Sequence, residues 1–420
     1  MAPSQRVLRS SKTKPVLEVL AQPSVKRVRR TRPKQPAEGS NAPVKSLPLE
    51  LITHILENVD SPRTLADASR VCRTLQLEAE RLLYRKVYVG RVKHVRSLHQ
   101  ALTRSSRRAS FVNEFEAHDN GRMTPVTPLV MEILLMLTGL EHLKLNLCAN
   151  YDEPAAYDSV VLLAQCTFKL KSFDGWVTSP SDFVHFLQQQ TCLESLHIQD
   201  HSWLPNWSIP HDAVPRLKYV QTHSFLFADA IYAPHAITHL HLSFNDRNNR
   251  DLNEILRVVR HQLISFKCER TSSSVRTPVW SLISDTINCG LMPNLRYLEV
   301  EDVSDASFLP YSDDGLVQMG GANITLDTVV WSAMYDQVKY IFLNDNHKAA
   351  TSARRLACIR PWAKKILESF SSLRRFFYVE PSERFSGIWR TRVWLFTLSS
   401  DDRLVEEKKE AKDLPVWSDI

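Results

Sequence analysis

The chain has 420 residues, a formal net charge of +7 and an ordinary hydrophobic content of 43%, so its length allows two or three domains around a large core. It holds only ten glycines, which argues against folds that need many glycine turns or phosphate-binding loops. Its seven cysteines are an odd number, scattered and without a CxxC pair, a pattern that favours free thiols in a reducing compartment.

Residues 1–45 form a basic tail that we expect to be disordered. The tail contains eleven Lys or Arg residues, only Glu18 and Glu38 as acids, and no aromatic residue. It therefore cannot bury enough apolar surface to offset the entropy lost on ordering. Because the tail carries the positive charge, the rest of the chain is close to neutral.

Within the tail lies a dense basic cluster. It is typical of sequences read by nuclear import receptors, with nucleic-acid contact and a solvated run that only keeps the tail soluble as the alternatives. The prolines of the tail oppose an amphipathic mitochondrial presequence. We therefore expect the nucleus, the cytoplasm or both as the location, with an import receptor as a partner. The residues of the cluster are Lys26, Arg27, Arg29, Arg30, Arg32 and Lys34.

Residues 47–89 follow as three short helical patterns with more apolar positions than so small a module buries alone. Ser61 is placed as the N-cap of the second helix and Pro62 as its first residue. Such a surplus of apolar surface usually packs against another chain or the next domain. The apolar positions are Leu47, Leu51, Ile52, Ile55, Leu56 and Val59, then Leu65, Ala68, Val71 and Cys72, then Leu75, Ala79, Leu82 and Leu83.

This segment resembles an F-box. The matching residues are Leu47-Pro48 with Glu50-Leu51, Ile55-Leu56, Leu65, Val71-Cys72-Arg73 and the closing run from Leu83 to Val87. Leu75 departs from the family, which often has an aromatic residue there. The alternative is an ordinary three-helix core segment with no partner.

The resemblance implies that the apolar face docks on the Skp adaptor of a cullin–RING ubiquitin ligase. The following domain can cover the side of Leu82, Leu83 and Val87, which leaves a face led by Leu47, Leu51, Ile55 and Leu65. The residues expected to bind the adaptor are Leu47, Pro48, Leu51, Ile52, Ile55, Leu56, Leu65, Val71, Cys72 and Leu75.

Seven apolar motifs of the form LxxL or LxxLxL then recur along the chain. Residues two apart in a strand point the same way, so each motif predicts a strand with one buried face. The motifs begin 20 to 32 residues apart, an interval that suits one strand and one helical or irregular return. They begin at Leu140, Leu170, Leu193, Leu217, Ile237, Leu263 and Leu295.

The repeat resembles a degenerate leucine-rich-repeat solenoid, with an unrelated mixed α/β domain as the alternative. Residues 181–190 and 251–259 are predicted helices of its convex side. Two earlier strands are expected, at residues 87–89 and 111–112. Most of the repeats lack the Asn or Cys that follows the strand in regular members of the family.

Beyond residue 305 the repeat is hard to follow. The sequence predicts helices around residues 334–343 and 353–370 and strands at 373–379 and 389–398. Residues 401–413 mix both signs of charge, and we expect them to fray or to form an exposed helix.

No signature of catalysis, metal binding or membrane insertion is found. The sequence contains no GxSxG, GxxxxGK, GxGxxG or HExxH motif. His235, His239 and His241 form the densest histidine group, but they lack further metal ligands nearby, so we interpret them as polar surface positions. The longest apolar stretch, residues 129–140, is interrupted by Glu132 and too short to span a bilayer. We predict no cofactor, no metal and no membrane partner.

Trp203 and Trp207 lie in an aromatic and proline-rich loop just after one predicted strand. Exposed tryptophans are good anchors for a protein partner, and loops of a solenoid often carry recognition. These two residues are therefore candidate target-binding positions. The alternative is that they fill space between two irregular repeats.

These patterns predict an α/β fold, with a three-helix F-box followed by an irregular leucine-rich-repeat-like solenoid of parallel strands and convex helices. The predicted boundaries are 1–45 for the tail, 46–86 for the F-box, 87–400 for the solenoid and 401–420 for a charged C-terminal tail. The implied function is a non-catalytic substrate-recognition subunit of an SCF-type ubiquitin ligase, with the Skp adaptor, the cullin scaffold and a protein substrate as partners. The alternative is a nuclear scaffold or nucleic-acid-associated protein that acts through residues 1–45.

Overall fold

The fold was described from a computed structural model of the chain. The structure describes residues 47–118, 123–146, 163–176, 180–199, 209, 213–223, 236–244, 249–270, 292–302, 325–333, 350–385 and 388–419. The chain divides into two compact units. The first comprises residues 1–170 with 174–176, and the second comprises residues 171–173 with 177–420.

The described elements alternate between helices and strands along most of the chain. The helices are α1 (Leu49–Glu57), α2 (Pro62–Ala68), α3 (Arg73–Arg85), α4 (Val92–Thr103), α5 (Ser106–Ser110), α6 (Thr127–Met136), α7 (Pro180–Gln189), α8 (Asn249–Val259) and α9 (Ala350–Ser369). The strands are β1 (Lys86–Val89), β2 (Glu114–His118), β3 (His142–Asn146), β4 (Ser172–Trp176), β5 (Ser195–Gln199), β6 (Tyr219–His223), β7 (His239–Phe244), β8 (Ser265–Arg270), β9 (Tyr297–Asp302), β10 (Thr328–Ala333), β11 (Arg375–Phe385), β12 (Ile388–Leu398) and β13 (Leu404–Lys409).

In the described part of the first unit, six helices accompany a parallel ladder of strands. Strand β1 follows α3 directly and pairs in parallel with β2, which pairs in parallel with β3. Helices α4 and α6 contact each other, and their apolar positions include Val95, Leu98, Val130 and Leu134, all buried. The three N-terminal helices are thus continuous in sequence with the first strand of a sheet.

The second unit is a sheet in which the strands from β5 to β11 pair in parallel and in chain order. Strands β12 and β13 then continue it in antiparallel pairing. The fold is therefore of the α/β class with a mostly parallel sheet, as the sequence predicts. The antiparallel end is a departure from the expectation of parallel strands throughout.

Each of the seven apolar motifs begins two residues before its strand and continues into it. Leu193, for example, leads β5, and Leu263 leads β8. The leading residue and the fourth residue of every motif are buried, because both point into the layer under the sheet. The leading residues are Leu140, Leu170, Leu193, Leu217, Ile237, Leu263 and Leu295, and their fourth-position partners are Leu143, Phe173, Leu196, Val220, Leu240, Phe266 and Leu298.

A shared backbone contact fixes the register where the parallel strands from β5 to β11 begin. The last amide before a strand and the first amide of that strand both donate to one carbonyl, that of the residue immediately before the preceding strand. We call this residue the lead-in residue. The amides of Ile264 and Ser265 both donate to the carbonyl of Thr238, at 2.8 and 3.0 Å. The amides of Asp327 and Thr328 do the same to the carbonyl of Arg296, at 2.8 and 3.0 Å. These bonds satisfy backbone groups before the ladder itself begins.

Helices of the second unit pack on the sheet face that carries the fourth-position residues. In α7, the rings of Phe183 and Phe186 lie 5.4 and 5.7 Å from that of Phe173. In α9, the ring of Trp362 lies 5.2 Å from that of Phe376 of β11. Side chains alternate along a strand, so the neighbouring positions face the opposite side of the sheet.

Several local predictions can be compared with the described elements. The predicted helix at 353–370 and the strands at 373–379 and 389–398 are confirmed as α9, β11 and β12. The strand expected at 111–112 was wrong, since β2 begins at Glu114 and Val112 is the buried residue two positions before it. The helix expected near 334–343 lies outside the described residues.

The C-terminal region also differs from the sequence prediction. In place of an exposed helix or frayed end, Leu404–Lys409 forms β13 at the edge of the sheet, paired with β12. The pairing partner supplies the order that the local sequence, rich in Glu and Lys, does not favour on its own. A short 3₁₀ helix, Ala411–Asp413, follows.

Candidate functional site

The N-terminal helical cluster is shaped by local signals at the ends of its helices. The carbonyl of Pro48 accepts from the amides of Leu51 and Ile52 and so begins α1. The hydroxyl of Ser61 accepts from the amide of Thr64 at 3.3 Å and caps α2, whose first residue is Pro62. The sequence prediction of this cap is confirmed, and the cap separates α1 from α2 by a short turn.

Helix α3 is the element against which the other two pack, because it contacts both α1 and α2. Leu56 of α1 and Leu65 of α2 are buried, as are Ala79 and Leu83 of α3. Covering each of the three leucines contributes roughly 1.5–3 kcal/mol of hydrophobic free energy. The cluster thus has a small apolar core of its own.

A charged network braces α1 against α3. The hydroxyl of Thr53 donates to Glu78 Oε2 at 3.2 Å, and Arg81 Nε donates to the same oxygen at 3.0 Å. Arg81 Nη2 also reaches Glu57 Oε1 at 3.4 Å. Glu78 is buried, whereas the side chains of Arg81 and Glu57 are 34% and 44% exposed, so the outer pair contributes little free energy but helps to fix the orientation of α1.

A second network joins α3 to α5. Arg107 and Arg108 donate to the two oxygens of Glu80, whose side chain is only 6% exposed, and Gln76 donates at 3.3 Å. Burial alone would raise the pKa of Glu80, but hydrogen bonds from Arg108, Arg107 and Gln76 together hold the pKa below its ordinary value. Arg108 also lies over the ring of Tyr84 at 5.5 Å. Glu80 is therefore an ionised, buried brace.

The most distinctive feature of the cluster is its exposed apolar face. Six of the ten large hydrophobic residues that are exposed in the described parts of the chain lie between residues 47 and 77. Leu51 and Ile55 are four residues apart, so they share one side of α1, and Leu47 lies just before the helix and its N-cap residue Pro48. We call the following set the apolar face: Leu47, Leu49, Leu51, Ile55, Val71 and Leu77, with exposed fractions of 58, 48, 49, 55, 70 and 38%.

The residues that the sequence predicts to bind a partner fall into three groups. Leu47, Pro48, Leu51, Ile55, Val71 and Cys72 are exposed. Ile52 and Leu75 are half-buried. Leu56 and Leu65 are buried inside the cluster, where they support the exposed residues from below.

Two members of the apolar face, Leu49 and Leu77, were absent from the prediction. Leu49 is the first residue of α1, and Leu77 lies between the apolar positions by which α3 was recognised. Helical spacing alone does not place Leu49 and Leu77 among the apolar positions that were expected to bind a partner. Their exposure depends on how α1 and α3 pack together.

The other predicted site residues lie outside the described parts of the chain. They are the tail cluster Lys26, Arg27, Arg29, Arg30, Arg32 and Lys34, and the candidate target-binding residues Trp203 and Trp207. Both remain predictions.

The predicted exposure of the histidine group was wrong for the two members that the structure describes. The sequence predicts surface positions, but His239 and His241 of β7 are both only 5% exposed. Burial lowers the pKa of both imidazoles below the ordinary value, although Glu269 opposes this effect at His241. The ring of Trp417 covers them, at 6.3 Å from the ring of His239 and 5.8 Å from that of His241. His235 lies outside the described residues.

Within the described parts of the chain, no three His, Cys, Asp or Glu side chains converge as a metal site requires. No helix among those described is both long and apolar enough to cross a membrane.

Comparison with known proteins identifies the N-terminal segment. Residues 44–90 match the family model described as F-box-like. The match spans all three helices of the cluster, the whole apolar face and strand β1. The chain therefore carries an F-box-like domain at its N-terminal end. A search of curated proteins found no significant match to the chain.

Proposed function

We propose that this protein is the substrate-recognition subunit of an SCF-type cullin–RING ubiquitin ligase. The observation that carries the proposal is the apolar face, which lies entirely within the residues that match the F-box-like family. F-box domains generally bind the Skp adaptor, and through it the cullin scaffold. The apolar face then supplies the contact with the adaptor.

The free energy of this contact comes from apolar area removed from water, at roughly 25 cal/mol per Å². Leu47, Leu51 and Ile55 are each about half-exposed, so an adaptor surface can still cover much of each side chain. Because Leu51 and Ile55 lie on a helix braced by α3, few side chains have to be ordered on binding.

In this proposal the parallel sheet presents the target protein. The sheet and its helices fit a leucine-rich-repeat-like solenoid, given the recurrence of one buried motif before each strand. Such repeats create extended surfaces for protein recognition. The protein itself is non-catalytic and acts by holding the target near the ubiquitin-charged enzyme, which raises the effective concentration of the reacting groups.

Co-purification with the Skp adaptor tests the proposal. We expect the triple variant Leu47→Ala, Leu51→Ala, Ile55→Ala to lose at least about tenfold in affinity, because three anchors leave the contact. The matched control is Leu135→Ala in α6, which is similarly exposed at 42% but lies outside the F-box-like segment. The triple variant should keep its circular dichroism spectrum and thermal midpoint, because the removed side chains are exposed. Unchanged adaptor binding by the triple variant contradicts the proposal.

The basic cluster at residues 26–34 supports a nuclear location, with the cytoplasm as the other compartment of such a receptor. Deleting residues 1–45 separates this role from the alternative of a nucleic-acid-associated protein. Adaptor binding should persist in the deletion variant. If retention on DNA is the main activity instead, it should weaken steeply with salt in the full chain and vanish in the deletion variant.

A further inference from the structure

The C-terminal segment lies across the sheet face that is opposite to the helices of the second unit. We call residues 414–418 the strap. The hydroxyl of Ser265 in β8 donates to the carbonyl of Trp417 at 2.6 Å. The hydroxyl of Tyr297 in β9 shares its proton between Glu299 Oε2, at 2.7 Å, and the carbonyl of Pro415, at 3.2 Å. Leu414 and Trp417 pack against an apolar cluster of this face, formed by Tyr297, Val330, Phe377 and Val393. The strap therefore covers part of the face.

The face beneath the strap is polar at one end and apolar at the other. At the polar end, the ring of Trp417 lies against His239 and His241 of β7. Ser265 is fully buried, although its position in an exposed sheet face would leave its hydroxyl in water. We call the set His239, His241, Ser265 and Tyr297 the inner site. A tryptophan ring and two backbone carbonyls thus occupy a site built from aromatic and hydroxyl groups.

The chemistry of the inner site suits a peptide segment that carries an aromatic side chain. Hydroxyl donors that reach main-chain carbonyls recognise any peptide backbone, whereas the imidazole pair selects a flat aromatic side chain. The strap presents the carbonyls of Pro415 and Trp417 to the sheet and then turns at Trp417 and Ser418, where the amide of Asp419 donates to the carbonyl of Val416. Val416, between Pro415 and Trp417, is 50% exposed.

The strap leaves two buried nitrogens of the inner site without a hydrogen-bond partner among the described residues. They are Nε2 of His239 and Nδ1 of His241. His241 Nε2 lies 3.3 Å from Glu269 Oε2, and a carboxylate only accepts, so Nε2 carries the proton and Nδ1 is left as an acceptor. A ligand that also brings an N–H or O–H to His241 would satisfy a group that the strap does not. The strap is thus an incomplete ligand of the inner site.

The strap is held less firmly than the strand that carries it. Strand β13 has six residues in register with β12. Among the described residues, the main-chain hydrogen bonds of the strap to the sheet are instead the two to the hydroxyls of Ser265 and Tyr297. Segments held mainly by side chains open locally at lower free energy than strands inside a ladder. The strap can therefore leave the face while β13 stays paired.

We propose that the inner site binds a peptide segment with an aromatic side chain, and that the strap occupies this site in cis until such a segment displaces it. The inference deepens the proposed function, because the segment would belong to the target protein. A tethered strap has an effective concentration on the order of millimolar. A target segment therefore binds well only if it makes contacts that the strap lacks, such as a donor to His241, so the strap sets a threshold for recognition.

The test uses the full chain and a fluorescein-labelled peptide with the sequence of residues 411–420, followed by fluorescence anisotropy. The unmodified chain should bind the peptide weakly, because its own strap occupies the site. Trp417→Ala should increase the affinity for the peptide at least about tenfold, because the tethered competitor has lost its ring. Val416→Ala is the matched control, since this neighbouring side chain points outward, and it should behave like the unmodified chain.

The site itself is tested by a double variant. Adding His241→Ala to Trp417→Ala should reverse the gain in affinity, because the ring of the labelled peptide then loses one of its two imidazole contacts. A folded Trp417→Ala chain that binds the peptide no better than the unmodified chain overturns the proposal. Equal gains in the Trp417→Ala chain and the double variant also overturn it, since binding would then lie elsewhere.

Hydrogen exchange of the unmodified chain provides a measurement that does not depend on the folding of any variant. The amide of Asp419 donates to the carbonyl of Val416 at 2.9 Å, and that of Leu414 donates to the carbonyl of Ala411 at 3.4 Å. These two amides should exchange much faster than those of β7 to β9. Equal protection would mean that the strap opens only when the sheet unfolds, and it would rule out displacement.

Failure of strap displacement can be distinguished from failure of the proposed ligase function. Adaptor binding depends on the apolar face of the F-box-like domain and should be unchanged in Trp417→Ala. If adaptor binding fails while displacement of the strap holds, the inner site belongs to a peptide-binding protein of another class. If the adaptor binds but the strap is not displaced, the protein is a receptor that recognises its target elsewhere.

Discussion

Arg107 Nη2 lies 2.6 Å from Glu80 Oε2 and so ties helix α5 to helix α3 of the F-box-like domain. Arg108 completes the contact on the other carboxylate oxygen, at 2.8 Å. Glu80 is buried, whereas Arg107 is half-exposed and can return to water if its partner is lost. The carboxylate is therefore the member of the pair whose removal matters most.

We expect Glu80→Gln to lower the free energy of unfolding of the first unit by about 1–3 kcal/mol, because charge-assisted bonds are replaced by weaker ones in a buried position. Urea unfolding followed by circular dichroism measures the change. The matched control is Glu57→Gln, which removes the 44%-exposed carboxylate that pairs with Arg81 and should cost less than about 1 kcal/mol. Equal effects of the two substitutions would show that Glu80 is not a brace.

The second unit should lose stability as the pH falls below about 6.5. Burial lowers the pKa of His239 and His241 in the folded state, so the unfolded chain binds more protons in this range. Stability is then fully present above the ordinary imidazole pKa of 6.5 and decreases as the pH falls toward the folded-state values. Around His241, Glu269 and Glu299 favour the charged form and Lys267 opposes it, which limits the size of the effect.

Thermal unfolding of the unmodified chain between pH 7.5 and 5.5 measures this dependence. His241→Gln should flatten the slope, because one of the two groups that take up protons on unfolding is gone. His54→Gln is the control, since His54 is exposed on α1 in the first unit and its removal should leave the slope unchanged. An identical slope in His241→Gln would contradict the assignment.

Leu298→Ala should destabilise the second unit by about 2–5 kcal/mol, because the side chain is fully buried in β9 and its loss leaves a cavity under the sheet. Val258→Ala in α8 is the control, at 44% exposure, and should change stability by less than about 0.5 kcal/mol. Urea unfolding compares the two variants. A small effect at Leu298 would mean that the fourth position of the repeat is not a core position.

Cys72 should be the most readily alkylated of the described cysteines. It is exposed beside the apolar face, whereas Cys166 and Cys268 are buried. Burial also raises the pKa of the Cys166 thiol to about 12, so hardly any reactive thiolate forms there at neutral pH. Mass spectrometry after brief treatment with a maleimide identifies the modified site.

Adding the purified Skp adaptor before the maleimide should slow the modification of Cys72 several-fold. The modification of half-buried Cys192 serves as the internal control and should not change. Modification of Cys72 at the same rate with and without the adaptor would place the contact away from this part of the domain.

The sequence was sufficient to predict the strands of the repeat but not the bounds of the elements around them. Every one of the seven motifs precedes a strand, because burial of the leading and fourth residues leaves a strong apolar signal. The same signal misled at Val112, which lies two residues before a strand and resembles part of it. Local periodicity does not distinguish a residue just before a strand from a residue inside it, because the strand begins only where its backbone can pair with that of the preceding strand.

The C-terminal part was beyond sequence reasoning for a different reason. Strand β13 forms from charged residues because its backbone pairs with that of β12. The local sequence of residues 404–409 does not indicate this pairing. His239 and His241 were expected in water because the segment that covers them follows more than a hundred residues later. In the F-box-like domain, the helices were predictable, but whether Leu65 or Leu77 faces outward depended on packing between helices.

The lead-in contact of the parallel strands has a consequence for how this protein can change. Strands β6 and β7 begin 20 residues apart and β10 and β11 begin 47 apart, yet in both pairs the first residue of one strand lies beside the first residue of the next. Insertions and deletions in the return segments are therefore absorbed outside the ladder. Loops can be lengthened, shortened or exchanged among repeats while the rows of side chains across the strands stay aligned. Grafting new loops should thus be a practical route to altered partners.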